Sequence, residues 1–295
     1  MTDRSSSPST MTVAVVGFGA MGAAMARRLV KDGHTVSAVD PMPNARAQAA
    51  GSGMPAFADI TSVPRCDVVI VLVATGQQLL DTAKAAIAHR AMTGETWVIS
   101  STVGRQTARE ADNLLSAAGV AVIDAPVTGG VPGATNGSLR FLAGAPKDRI
   151  DAVAAVFAPL GTVKVVGDRP GDGQAMKVVN QLCSSVHLAA AAEAIALAAR
   201  LDLDPVTAVD VISGGSGSSW FFDERGPRMA RFGTTPEVLT RLAILAKDNG
   251  LVEEEADAHG ARVPLLKAAR SQYLRAAELG LLEADDSQII RTYLT

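Results

Sequence analysis

Residues 12–40 read TVAVVGFGAMGAAMARRLVKDGHTVSAVD. A β-branched apolar run leads into Gly17-Phe18-Gly19-Ala20-Met21-Gly22. A helical stretch follows from about Met21 to Lys31, then a second strand-like run, TVSAVD, at 35–40. G-x-G-x-x-G between a strand and a helix has a mechanical reading. The first glycine permits a tight turn, the second lets backbone approach a pyrophosphate, and the third lets the helix pack closely on the strand. The first amides of the helix then face the diphosphate. Gly17, Phe18, Gly19, Ala20, Met21 and Gly22 are therefore candidate dinucleotide contacts; a glycine-rich turn without ligand is the plain alternative. Asp40 closes the second run, 18 residues beyond Gly22. An acid there can accept hydrogen bonds from both ribose hydroxyls and repels a 2′-phosphate, which favours NAD over NADP. Arg46, six residues further on, is the feature that would admit NADP.

Outward from this unit, strand-like and helical segments alternate. VVIVLV (68–73), TWVIS (96–100), VAVID (120–124), SLRFLAGA (138–145) and TVKVVG (162–167) are further strand candidates, with helical stretches near 77–90, 104–117 and 147–157. Continuous apolar strands separated by helices predict a mostly parallel sheet covered on both faces, the Rossmann-type doubly wound pattern. The texture changes after Gly173. Residues 174–200 read as one long alanine-rich interdomain helix, and the segments after it keep helical spacing with almost no strand signal. Pro205, Pro236 and Pro264 stand where helices would begin. The expected organisation is a disordered leader over 1–10, a dinucleotide-binding domain over 11–173, and an all-helical substrate and oligomerisation domain over 174–295.

Bulk properties narrow the class. A chain of 295 residues suits two domains at roughly 100–200 residues each. A net charge of −3 supplies no basic field for nucleic acid. Cys66 and Cys183 lie far apart and His34, His89, His187 and His259 are scattered, so neither a disulfide framework nor a metal site is expected. The apolar run around AAAAEAIALAA is broken by Glu193 and reads as a buried helix, not a membrane span. His187, on the same run, reads as a packed residue. A cytoplasmic location is expected.

Four further segments carry possible chemistry. In Asp124-Ala125-Pro126-Val127-Thr128-Gly129-Gly130, paired glycines after a strand can present backbone N–H groups to a carboxylate, or simply form a loop. Lys177 and Asn180 are three apart on the long helix and share a face. A lysine on an apolar helix can be desolvated toward a neutral pKa and serve as a general acid or base; a surface lysine is the bland alternative. Ser218-Ser219-Trp220-Phe221-Phe222 concentrates aromatics, either for core packing or to line a pocket. Lys247-Asp248 reads as a charged helix pair.

Together these segments resemble the β-hydroxyacid dehydrogenase family, which includes 3-hydroxyisobutyrate dehydrogenases, tartronate semialdehyde reductases and L-threonate dehydrogenases. The resemblance rests on GFGAMG at 17–22, DAPVTGG at 124–130, GDGQAMKVVNQ at 171–181 and KDNGL at 247–251, in that order, and runs from Thr12 nearly to the C-terminus. It implies NAD, or NADP, as cofactor and hydride transfer to or from a small hydroxy acid such as 3-hydroxyisobutyrate. L-Threonate and tartronate semialdehyde are the alternative substrates. It implies that Lys177 is the catalytic lysine and that Asn180 holds the reacting oxygen. Thr128, Gly129 and Gly130 would bind the substrate carboxylate. Thr102 would lie near the nicotinamide ribose and Ala74 and Thr75 along the dinucleotide. Lys247 would lie at the nicotinamide end of the site, serving substrate and cofactor, with Asp248 supporting it.

Departures are few. Thr128 stands where the family often has serine and keeps the hydroxyl. Gln181 replaces a second asparagine, as in tartronate semialdehyde reductases, whereas NQLCSSVHLAAAAEAIALAAR and GSSWFFDERGPRM are more similar to L-threonate dehydrogenases. Imine reductases share the fold but generally lack a lysine at the position of Lys177. The family further implies a homodimer or homotetramer built through the helical domain, with no nucleic-acid or membrane partner. A non-catalytic dinucleotide-binding protein would need only the glycine fingerprint, and this chain carries the other motifs as well.

Overall fold

Alternate residues of the central strands are buried on opposite faces of one sheet. Val13 and Val15 pack with Ala23, Met25 and Leu29 on one side. Ala14 and Val16 pack with Leu79, Ala83 and Leu115 on the other. A strand apolar at every position satisfies both layers, which explains the unbroken runs in the sequence. The computed structural model describes residues 10–294. The expected leader therefore lies, except for Thr10, outside the described residues.

The strands are β1 (Thr12–Val16), β2 (Thr35–Val39), β3 (Ala56–Phe57), β4 (Val68–Val71), β5 (Thr96–Ile99), β6 (Ala121–Asp124), β7 (Val127–Thr128), β8 (Leu139–Gly144) and β9 (Gly161–Gly167). Their order is β3-β2-β1-β4-β5-β6-β8-β7, with β9 also beside β8. The first six are parallel, in the order of a dinucleotide-binding sheet whose direction of winding reverses between β1 and β4. β8 runs antiparallel to β6 and β7. The sheet is thus mostly parallel, as expected.

Around it stand α1 (Ala20–Lys31), α2 (Pro43–Gly51), α3 (Gly76–His89), α4 (Arg105–Ala117), α5 (Gly130–Asn136), α6 (Lys147–Ala152) and α7 (Ala154–Phe157). The helix expected near 147–157 is two short ones, separated at Val153, whose ψ of 18° leaves the helical range. The chain divides after Lys177 into two compact units. The 29-residue α8 (Asp172–Arg200) crosses that division.

The second unit continues with α9 (Pro205–Ile212), α10 (Trp220–Met229), α11 (Leu242–Ala258), α12 (Pro264–Glu278) and α13 (Arg291–Leu294). Its pairing of extended backbone, among the described residues, is one bridge between Arg241 and Asp285. Pro205 and Pro264 each sit in the first turn of a helix, as read. Pro236 does not: residues 233–240 are irregular and α11 starts at Leu242, so the helical spacing there was misread. Asp285 explains the conformation, because its carboxylate accepts hydrogen bonds from the Leu239 and Thr240 amides and pairs with Arg228 at 2.9 Å. Length and composition alone would let α8 cross a membrane. Its Leu188, Ala192 and Ile195 instead share a core with Phe222, Leu242 and Tyr273, the use a core helix makes of such a run. His187, expected to be packed, is exposed on this helix, one position before the buried Leu188.

Candidate functional site

The glycine fingerprint can be tested atom by atom. Gly17 has φ +92°, and a Cβ there would lie 2.4 Å from the Leu72 carbonyl oxygen. A Cβ on Gly22 would lie 2.0 Å from the Gly17 carbonyl oxygen, so α1 approaches β1 too closely for any side chain. A Cβ on Gly19 would meet nothing within 4 Å. Packing requires the first and third glycines; the second opens onto space at the start of α1, where a dinucleotide phosphate fits. The residues present therefore suit that group.

Asp40 closes β2 and does more than the sequence reading asked of it. Its carboxylate accepts from the Phe18 amide and the Met42 amide, each at 2.8 Å. It ties the fingerprint loop to β2 and keeps acceptor capacity to spare, since a carboxylate offers about four lone-pair sites. Arg46 donates through Nη1 to the carbonyls of Asp40 (2.9 Å) and Pro41 (2.7 Å), which holds its guanidinium beside the acid. The other predicted cofactor residues follow the carboxyl ends of neighbouring strands. Ala74 and Thr75 come after β4, with Thr75 capping α3 in a reciprocal pair with Gln78. Thr102 comes after β5, next to Ser101, whose amide donates to the Val71 carbonyl at 3.0 Å. These are the ends where ligands bind open α/β sheets.

Beyond β6, Thr128, Gly129 and Gly130 are half-buried. Gly129 and Gly130 have φ of +121° and +61°, which side chains resist. Asp124, just before them, is wholly buried. Its carboxylate accepts from the Gly171 amide (2.8 Å), the Gln174 amide (2.9 Å) and the Gln174 side chain (2.9 Å). Burial pushes its carboxyl up to about 6, against the pull of those hydrogen bonds. Gln174 spans three segments: its Nε2 also donates to the Ser101 carbonyl (3.0 Å), and its Oε1 accepts from the amides of Val103 (3.0 Å) and Gly104 (3.3 Å). The start of α8 is therefore bolted to the loops after β5 and β6. Lys177 follows one turn later and is 7% exposed. Sequence reading quoted Asp124 and Gln174 within motifs without giving either a role. The available signal was polar residues beside segments otherwise apolar.

The second unit carries Asn180 and Lys247. Asn180 donates through Nδ2 to Gln181 Oε1 at 2.9 Å, Gln181 donates to the Asp248 carboxylate, and Lys247 pairs with that carboxylate at 3.1 Å. Asp248 thus links the two predicted residues through Gln181, which the sequence singled out only as a departure from the family's second asparagine. Phe222 of the aromatic segment is core, while Trp220 is exposed and lies over Arg225 at 5.3 Å. No cluster of metal-ligating side chains occurs among the described residues.

Comparison with known proteins bears on the fold and the class. A family model described as the NAD binding domain of 6-phosphogluconate dehydrogenase matches residues 12–167. A second, the NAD-binding domain of NADP-dependent 3-hydroxyisobutyrate dehydrogenase, matches 171–293. The class is therefore that of NAD(P)-dependent oxidoreductases. An L-threonate dehydrogenase of Cupriavidus necator is 34% identical over 286 residues, 95% of each chain. A probable 3-hydroxyisobutyrate dehydrogenase of Mycobacterium tuberculosis is 33% identical over 95% of this chain and 97% of its own. The crystal structure of a 3-hydroxyisobutyrate dehydrogenase from Salmonella typhimurium superposes with a TM-score of 0.86 at 31% identity, covering 95% of this chain and 99% of that one. This chain belongs to the β-hydroxyacid dehydrogenase family, and its activity is that of a hydroxy-acid dehydrogenase.

Proposed function

We propose that this enzyme moves a hydride between NAD and a small β-hydroxy acid of the 3-hydroxyisobutyrate type, with Lys177 transferring the proton. The observation that carries the proposal is a buried lysine one turn beyond a helix start that Asp124 and Gln174 hold against the carboxyl edge of the sheet. Bound nicotinamide supplies the site that takes or gives the hydride. In oxidation, neutral Lys177 removes the hydroxyl proton; in reduction its ammonium returns one to the developing alkoxide. Backbone amides at Gly129 and Gly130, with Thr128, hold the carboxylate and so orient the reacting carbon. Asn180 and Lys247 complete the substrate contacts. Residues 17–22, Asp40, Ala74, Thr75, Thr102 and Lys247 bind the dinucleotide. Asp40 makes NAD the preferred form, although the adjacent Arg46 leaves NADP usable.

In this reading residues 11–173 form the cofactor domain and 174–295 the substrate and oligomerisation domain of a cytoplasmic enzyme. We also propose a homodimer or homotetramer. Its support is the exposed apolar set Leu197, Leu201, Leu203, Val206 and Val211 at the end of α8, in the turn after it and on α9. A second substrate, L-threonate, is favoured by the 34% identity to an L-threonate dehydrogenase.

The test is reduction of NAD and NADP with 3-hydroxyisobutyrate, L-threonate, D-glycerate and 3-hydroxypropionate, wild type beside Lys177→Ala. The variant should bind NADH normally and lose about 10²–10⁴-fold in turnover, the usual contribution of a general acid–base group. Unchanged turnover would remove Lys177 from the mechanism. NADH binding by a wild type silent on every acid would favour a binding-only protein.

A further inference from the structure

Ala190 is exposed near the middle of α8, and the exposed face reads the same in both directions from it. Three places to either side stand His187 and Glu193. Seven places away stand Cys183 and Leu197, and eleven places away Val179 and Leu201, all of them exposed. Steps of three and four residues keep this set on one side of a helix. The helical turn carries through Leu201, whose amide donates to the Leu197 carbonyl at 3.0 Å. The opposite side carries Leu188, Ala192 and Ile195 into the core of the second unit. The outer pairs of the face are apolar, a cysteine thiol behaving as a small hydrophobe. The inner pair is polar, and neither His187 nor Glu193 has a hydrogen bond or ion pair among the described residues.

We infer that α8 packs antiparallel on α8 of a second copy of this chain, about a two-fold axis at Ala190. The inference rests on the homodimer or homotetramer proposed above and names the face that forms it. A two-fold contact joins one patch to itself, so the patch must be complementary to its own reverse. Here it is. The axis sets His187 against the partner's Glu193, and Glu193 against the partner's His187, so each imidazole N–H meets a carboxylate. Cys183 faces the partner's Leu197, and Val179 faces the partner's Leu201. Ala190, with one methyl at the crossing, permits an approach near the short end of the usual range of about 8–10 Å. Parallel pairing would set Glu193 against the partner's Glu193. A lipid surface would bury His187 and Glu193 with nothing to pair them.

The natural Cys183 makes the pairing testable on the full-length chain, since the other cysteine, Cys66, is buried. In the antiparallel pair Cys183 lies about 21 Å along the helices from the partner's Cys183, at a rise of about 1.5 Å per residue. The wild type should therefore give no covalent dimer with a short bis-maleimide cross-linker. Leu197→Cys puts a second thiol opposite the partner's Cys183 and should give one. Within one chain those two positions are also about 21 Å apart, so the link must join two chains. Leu197→Cys combined with Cys183→Ser should lose it. Cross-linking of the wild type through Cys183, or none in Leu197→Cys although light scattering finds a dimer or tetramer, overturns the pairing. Sedimentation equilibrium reads the polar pair. Glu193→Arg sets cation against imidazole and should raise the dimer Kd at least about fivefold. Adding His187→Glu restores opposite charges and should recover most of that loss; no recovery overturns the contact. A monomeric wild type active on a hydroxy acid overturns the pairing and leaves the proposed reaction standing. A cross-linked Leu197→Cys protein, with a wild type silent on every acid, does the reverse.

Discussion

Three glycines within six residues answer to different demands, and substitution separates them. At Gly22 an added methyl would meet the Gly17 carbonyl oxygen at 2.0 Å. Gly22→Ala should lose about 1–3 kcal/mol of stability, as overpacking does, measured by chemical denaturation. At Gly19 the methyl meets nothing within 4 Å. Gly19→Ala should unfold within about 0.5 kcal/mol of wild type. It should nonetheless bind NAD at least about tenfold more weakly by titration, because the methyl stands where the phosphate approaches. Asp124 gives a pH signature. Its folded-state value of about 6 lies above the ordinary carboxyl value of 3.8, so the unfolded chain releases this proton first as pH rises. The contribution to stability is fully present below about pH 4 and is lost through about pH 6. Asp124→Asn cannot titrate. Between pH 4 and 7 its unfolding free energy should move relative to wild type by about 3 kcal/mol in the variant's favour, from two pKa units at about 1.36 kcal/mol each. Parallel curves for the two proteins would place the raised value elsewhere.

At the scale of elements, the start of α8 is the critical joint. Gly173 allows it, since a Cβ there would lie 2.3 Å from the Leu142 carbonyl oxygen and 2.7 Å from that of Asp124. Gln174 then fills the buried acceptors and donors of two loops. Gln174→Leu leaves the Val103 and Gly104 amides, the Ser101 carbonyl and one Asp124 oxygen without this partner and should cost at least about 4 kcal/mol, at about 1–3 kcal/mol for each unpaired group. Turnover should fall with it and NADH should bind more weakly, because the same side chain holds both the helix that carries Lys177 and the Ser101–Gly104 loop that carries Thr102. Unchanged NADH affinity by titration would show that the loop keeps its place without Gln174. Most elements were legible because their apolar residues repeat with one period. β1, β2, α1 and the length of α8 follow directly from that repeat. Others have too few residues to show a period: β3 and β7 are two residues each, and α6 and α7 are six and four. Residues 233–240 misled because Pro236 is a helix-start signal only where the following amides find helical partners, and here Asp285, far along the chain, takes them.

For the whole molecule, the two faces of the sheet and the separate helical core account for most of the apolar content. A remainder lies exposed at the end of α8, in the turn after it and on α9, with Val211 74% exposed and Leu201 61%. Light scattering should give the mass of a dimer or tetramer, and Leu201→Glu with Val211→Glu should shift it toward the monomer. A monomeric wild type would contradict the proposed assembly. Sequence alone determined the alternation of strands and helices, the glycine turn, the acid at the end of β2 and the family, because each depends on residues close in the chain or on motifs in fixed order. Only tertiary structure decided which polar groups meet. Asp124 with Gln174, and Gln181 with Asp248, are 50 and 67 residues apart. A hydrogen bond depends on distance in space, and no local period in a sequence encodes that distance.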